Sequence, residues 1–225
     1  MTPAAPNPPP IRLVIFDCDG VLIDSEGPSN RVVAEEISKL GWPMTTAEST
    51  ALFVGYQLGD IPRVVEAHTG RPVPEGWVET LRTAIIAAFD TIETVPGARP
   101  VLEGVASLGL PFRVASNSSH AEMRVKFGNT GLHELVGDRQ HSAYDVRAGK
   151  PAPDVFLAAA AAEGVPPAQC LVVEDSIPGI HAALAAGMRV VALDVTGTGE
   201  AQRKAGATTI ASLEDLLPLL RNQAA

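Results

Sequence analysis

Residues 11–26 read IRLVIFDCDGVLIDSE. The apolar run Leu13-Val14-Ile15-Phe16 is short, continuous and largely β-branched. It stops abruptly at Asp17 and Asp19, with Gly20 behind them. A run of this length closed by a glycine reads as a buried strand. In a parallel α/β sheet, ligands collect just beyond the carboxyl ends of the strands. Side chains two apart in extended chain point the same way, so Asp17 and Asp19 can converge on one small ligand.

Upstream, residues 1–10 (MTPAAPNPPP) form a Pro-rich stretch expected to be an extended, poorly ordered tail. Downstream, residues 27–94 change character. Helical apolar spacing in 28–41, 47–52, 59–69 and 75–92 alternates with turn signals such as Gly41-Trp42-Pro43 and Gly70-Arg71-Pro72. No strand is expected there, so this section reads as an all-helical insert. Residues 11–26 and 95–225 then form one α/β core. Strands are expected at Phe112–Ala115, near Asp138–Ser142, at Cys170–Val173, Val190–Leu193 and Thr208–Ile210, with helices between them. This alternation implies a doubly wound parallel, Rossmann-like sheet with helices on both faces.

Composition removes several function classes. The 225 residues carry a formal net charge of −9, which argues against a nucleic-acid or membrane-surface binder. Hydrophobic residues make up 46% and aromatics only 4%, so the core is built from Ala, Val, Leu and Ile. Cys18 and Cys170 lack metal-type spacing and read as small buried hydrophobes. No signal-peptide pattern and no membrane-length apolar stretch is seen, from which a cytoplasmic protein is expected.

The strand ends carry the chemistry. The first supplies Asp17 and Asp19, the second Ser116, the loop after the short strand Lys150, and the Cys170 strand Glu174 and Asp175. Each alone has a bland reading as a turn, cap or solvated residue. Together they form a phosphoryl-transfer set. A carboxylate attacking a phosphate monoester is anion meeting anion, so positive charge is required. Mg²⁺ favours hard oxygen ligands, and Asp17, Asp175 and a backbone carbonyl can supply part of its shell. Lys150 and Ser116 would hold the remaining phosphate oxygens. Asp17 would be the nucleophile and Asp19 the general acid/base.

These motifs, Asp17-x-Asp19, Ser116, Lys150 and Glu174-Asp175, closely resemble those of the haloacid dehalogenase superfamily. Lys150-Pro151-Ala152-Pro153-Asp154 and Glu174-Asp175-Ser176 are similar to its β-phosphoglucomutase-like and phosphosugar-phosphatase branch. The resemblance implies a helical cap at residues 27–94. It makes Asp17 the nucleophile and Asp19 the acid/base. It assigns the metal to Asp17, Asp19 (through its carbonyl) and Asp175, with Glu174 beside them, and the phosphate to Ser116, Asn117 and Lys150. It also implies a monomer.

Departures from the pattern choose within the superfamily. Asp19 and the acidic pair point away from dehalogenation. Lys39, the only lysine between 27 and 95, sits too far along its helix for a phosphonatase Schiff base. Ser29 stands where a β-phosphoglucomutase has a cap His, and residues 54–58 (VGYQL) lack its phosphate-holding Arg. The expectation is therefore a Mg²⁺-dependent phosphatase acting on a small sugar or sugar-acid phosphate. The alternatives are a hexose-phosphate mutase and, outside enzymes, a phospho-receiver-like switch. Glu26, Tyr56, Gln57 and His120 are the candidate substrate contacts.

Overall fold

Within Leu13–Phe16, alternate side chains leave on opposite faces, and every one is buried. The computed structural model describes residues 8–53, 56, 58–194 and 198–223. Strand β1 (Leu13–Phe16) leads through a turn at Gly20 into a two-residue strand, β2 (Ile23–Asp24). Four helices follow: α1 (Glu26–Lys39), α2 (Thr46–Phe53), α3 (Ile61–Thr69) and α4 (Trp77–Ala88). Strand β3 (Glu93–Thr94) then returns the chain, pairing antiparallel with β2 through Ile23 opposite Thr94 and Asp24 opposite Glu93.

The remaining chain alternates. It runs α5 (Ala98–Ser107), β4 (Phe112–Ser116), α6 (His120–Asn129), α7 (His133–Val136), β5 (Gln140–Ser142), α8 (Asp154–Ala162) and β6 (Cys170–Glu174). It closes with α9 (Ile177–Ala185), β7 (Arg189–Leu193), α10 (Glu200–Ala205), β8 (Thr208–Ile210) and α11 (Leu216–Gln223).

Six strands pair in parallel in the order β5-β4-β1-β6-β7-β8. The winding runs outward from β1 through β4 to β5, then crosses back to β6 and runs the other way. The crevice between β1 and β6 is therefore the topological switch point, where doubly wound sheets bind ligands. All six expected strands are present: β1, β4, β6 and β7 are short, mainly apolar runs between turn signals, whereas the edge strands β5 (QHS) and β8 (TTI) are short and largely polar.

The two faces of β1 feed separate cores. Val14 and Phe16 join the larger one, which also takes in Val33, Ile37, Leu81 and Ile85 of the helical insert. Leu13 and Ile15 pack with Phe156, Ala159 and Ile180 on the other face. Helix α1 buries Val32, Val33 and Ile37 at the expected spacing. Cys18 and Cys170 are buried and unbridged. The β2–β3 ribbon, α7 and α10 were not among the expected elements. Residues 1–7 of the expected tail lie outside the described residues.

Candidate active site

The floor of the switch-point crevice is set by two strand ends. Asp17 follows β1 directly, its N–H donating to the Val173 carbonyl at 2.9 Å. Glu174 is the last residue of β6 and is fully buried. Lys150, on the loop between β5 and α8, joins them. Its Nζ donates to Asp17 Oδ1 at 2.6 Å and to Glu174 Oε1 at 2.7 Å, and lies 4.7 Å from the centre of the Phe156 ring. The second Glu174 oxygen, Oε2, accepts from the backbone N–H groups of Asp175 and Ser176 and from Ser176 Oγ, each at 2.9 Å. Ser176 Oγ in turn caps α9 by accepting from Gly179 N–H at 3.1 Å. One carboxylate thus ties the lysine to the start of a helix.

Two glycines leave room for this cluster. A Cβ on Gly179 would lie 1.7 Å from Glu174 Oε1, and one on Gly20 would lie 2.1 Å from Asp175 Oδ2. Gly20 also takes a positive φ of 75°, a region that L side chains adopt at a cost.

Asp17, Glu174 and Asp175 each turn an oxygen to a point where all three lie within 4.8 Å of one another. Their electrostatics show the crowding. Burial pushes the Asp17 carboxyl up to about 7; Lys150 opposes that rise, while Glu174 and Asp19 add to it. Burial, then Glu174 and Asp17, hold Asp175 well above the ordinary carboxylate range. Burial alone would lower the Lys150 ammonium, but Asp17 and Glu174 outweigh it and hold its pKa high. Three crowded carboxyls against one ammonium cannot all ionise without further positive charge. An all-oxygen donor set of this kind fits a hard divalent cation such as Mg²⁺.

Asp19 is held apart from this group. Its Oδ1 accepts from Lys126 Nζ at 2.6 Å and from Ser25 Oγ; its Oδ2 accepts from Ser118 Oγ at 2.8 Å. Ser116 Oγ stands 3.5 Å from the same Oδ2. Burial would raise the Asp19 pKa, but Lys126, Ser25 and Ser118 outweigh it and hold the carboxyl below its usual range. Lys126 and Ser118, which belong to none of the sequence motifs, are brought by the fold against Asp19. The signal for Lys126 lies in α6, where it sits on the buried stripe with Met123 and Phe127. A lysine on such a stripe needs a buried partner.

These groups open on a cleft of about 730 Å³ between the sheet and the insert. Asp17, Asp19, Ser116, Asn117, Lys150, Glu174 and Asp175 all line it, as do Glu26 and Tyr56. Asn117 spends both ends of its amide on the Lys150 backbone, accepting from N–H at 2.9 Å and donating to the carbonyl at 3.3 Å. Its side chain therefore fixes the lysine loop. His120 pairs with Asp145 at 2.5 Å and is not among the lining residues. Gln57 lies outside the described residues.

An acid-floored, lysine-braced crevice at the switch point of a doubly wound sheet is the layout of an α/β enzyme that handles anionic esters. The chain belongs to the haloacid dehalogenase-like hydrolase family, whose model matches residues 11–187, and it is a hydrolase of that family.

A bifunctional riboflavin kinase/FMN phosphatase from Arabidopsis thaliana is 31% identical over 185 residues, 80% of this chain. The chain spans about half of that relative, 48% of its length. The 6-phosphogluconate phosphatase of Escherichia coli K12 is 30% identical over 182 residues, covering 80% of this chain and 81% of that protein. Among solved structures, a HAD family hydrolase from Deinococcus radiodurans with bound phosphate and sodium superposes with a TM-score of 0.82 at 30% identity. The match covers 96% of this chain and 97% of that one.

Proposed function

We propose that the chain is a Mg²⁺-dependent phosphatase that hydrolyses a small phosphate monoester, a sugar or sugar-acid phosphate, through an aspartyl phosphate on Asp17. The observation that carries this reading is the Lys150 bridge, at 2.6 Å to Asp17 and 2.7 Å to Glu174, beside three convergent carboxylates. Both curated relatives described above are phosphatases by name.

Asp17, Glu174 and Asp175 would hold the metal, with the Asp19 carbonyl completing the protein's share. When bound, Mg²⁺ supplies the positive charge that lets a carboxylate approach a phosphate. The Asp17 carboxylate attacks phosphorus, and the bond to the leaving oxygen breaks. Asp19 delivers the proton that this oxygen takes up. In the second step Asp19 removes a proton from water, which attacks the phosphorus, frees inorganic phosphate and restores the Asp17 carboxylate. Lys126, Ser25 and Ser118 hold the Asp19 carboxyl below its usual range, which favours the form the second step uses. The first step requires a protonated carboxyl released from Lys126. Ser116 and Lys150 steady the phosphate oxygens.

The test is phosphate release from a panel of sugar and sugar-acid phosphates with Mg²⁺, with chelator, and with Asp17→Asn. Metal-dependent release that vanishes in the variant is expected. Isomerisation of a hexose 1-phosphate primed by a bisphosphate, without release, would replace the phosphatase by a mutase. A long-lived phosphorylated Asp17 without turnover would replace it by a switch.

A further inference from the structure

Arg82, on α4, reaches from the helical insert into the same cleft. Its guanidinium lies 3.6 Å from Glu122 Oε1 of α6 and 3.5 Å from Glu79 Oε2 one turn back, and its Nη1 lies 3.4 Å from Tyr144 Oη. A committed arginine–carboxylate pair closes to about 2.7–2.9 Å, so all three contacts stand at the outer limit. Among the described residues, the other two cations of the site already sit against carboxylates. Lys150 is closed on Asp17 and Glu174, and Lys126 on Asp19 and Ser118. Among the described residues, seven carboxylates line the cleft against Arg82 and Lys150. A leaving group carrying its own negative charge is repelled there unless a cation answers it.

We infer that Arg82 determines specificity by binding a carboxylate on the leaving group, so that the preferred substrates are phosphorylated sugar acids. This rests on the phosphatase reading above. A phosphate seated over Lys150 turns the far end of its ester toward the insert, and Arg82 projects from that side. One guanidinium balances one carboxylate, and its planar fork matches that geometry. A second phosphate would set up to two charges against that one guanidinium. Glu122 Oε1 faces the same guanidinium, while its Oε2 accepts from Ser119 N–H and Oγ at 2.7 and 2.8 Å as the cap of α6.

The experiment compares kcat/KM for 6-phosphogluconate and glucitol 6-phosphate, which differ only in carboxylate against hydroxymethyl at C1. Wild-type protein favours the acid. Arg82→Gln lowers the acid-over-alcohol ratio by roughly 10- to 100-fold, the value of a charge-assisted hydrogen bond, and Arg82→Lys restores part of it. Glu122→Gln, which removes the competing carboxylate, raises the ratio. An equal fall for both substrates in Arg82→Gln, or a wild-type preference for the alcohol, would overturn the inference. Failure to hydrolyse either ester or p-nitrophenyl phosphate would instead overturn the phosphatase reading beneath it.

Discussion

Replacing Gly179 by alanine sets two effects of opposite sign against each other. Gly179 lies in α9 with ordinary helical backbone, and alanine is favoured over glycine in a helix by about 1 kcal/mol. The new Cβ, however, would sit 1.7 Å from Glu174 Oε1 and 1.9 Å from its Cδ. Glu174 is completely buried and cannot step aside freely. Lys150, two backbone N–H groups and Ser176 Oγ hold it at 2.7–2.9 Å. Displacing it breaks a buried ion pair, which costs about 3–5 kcal/mol. The clash wins by about 2–4 kcal/mol after the helical gain is subtracted. For a protein of this size that lowers Tm by roughly 5–15 °C. Thermal unfolding followed by circular dichroism in chelator measures it. Gly27→Ala in α1, where a Cβ meets nothing within 4 Å, is the control and leaves Tm level or slightly raised. A Gly179→Ala protein melting at or above wild type would refute the account of Glu174 as a fixed hub.

Lys126→Met leaves Asp19 without its buried cation; the lysine side chain is 4% exposed but that of Asp19 is 30%, so the loss is held to about 2–3 kcal/mol in urea unfolding. An unchanged urea midpoint would mean the pair contributes nothing. The metal-free protein has a pH signature. Asp17 rises from an ordinary 3.8 to about 7 in the fold, so the native state binds more protons across that window. Its contribution is full below about pH 4 and drains away as pH rises through about 7. In chelator, wild-type stability therefore falls relative to Asp17→Asn between pH 5 and 8. Parallel curves for the two proteins would remove Asp17 as the source. Saturating Mg²⁺ raises wild-type Tm more at pH 7.5 than at pH 5, because the carboxylates must be ionised to bind it; equal shifts would show that the metal binds elsewhere.

The sheet was legible because its evidence is local: an apolar β-branched run closing on a polar residue says both strand and site. Leu13–Asp17 and Cys170–Asp175 are read without knowing their neighbours. The helices of the insert were legible through residues such as Val33 and Ile37, one turn apart on a buried face. The β2–β3 ribbon was not, since two residues per strand are too few to show a period of two. Lys126 escaped for another reason. Its ammonium meets Asp19 across 107 residues of chain, and a pairing of that span leaves no spacing to read. Arg82 is similar, since its importance comes from Glu122 and Tyr144 on separate core elements. The family resemblance gave Asn117 to the phosphate; that its side-chain amide also bonds the Lys150 backbone on both sides joins residues 33 apart and has no local signal.

The β2–β3 ribbon also has a mechanical consequence. The chain crosses between sheet and insert twice, and two separate tethers would let the insert slide and twist as well as tilt. Here the crossings are zipped together by the ladder of Ile23 with Thr94 and Asp24 with Glu93, extended by Val95 N–H to the Leu22 carbonyl at 3.1 Å. Two strands joined in this way bend as a single strap, like the leaf of a hinge. Its root lies only a few residues beyond Asp17 and Asp19, so a small angle at the strap becomes a large arc at Arg82 and almost none at the carboxylates.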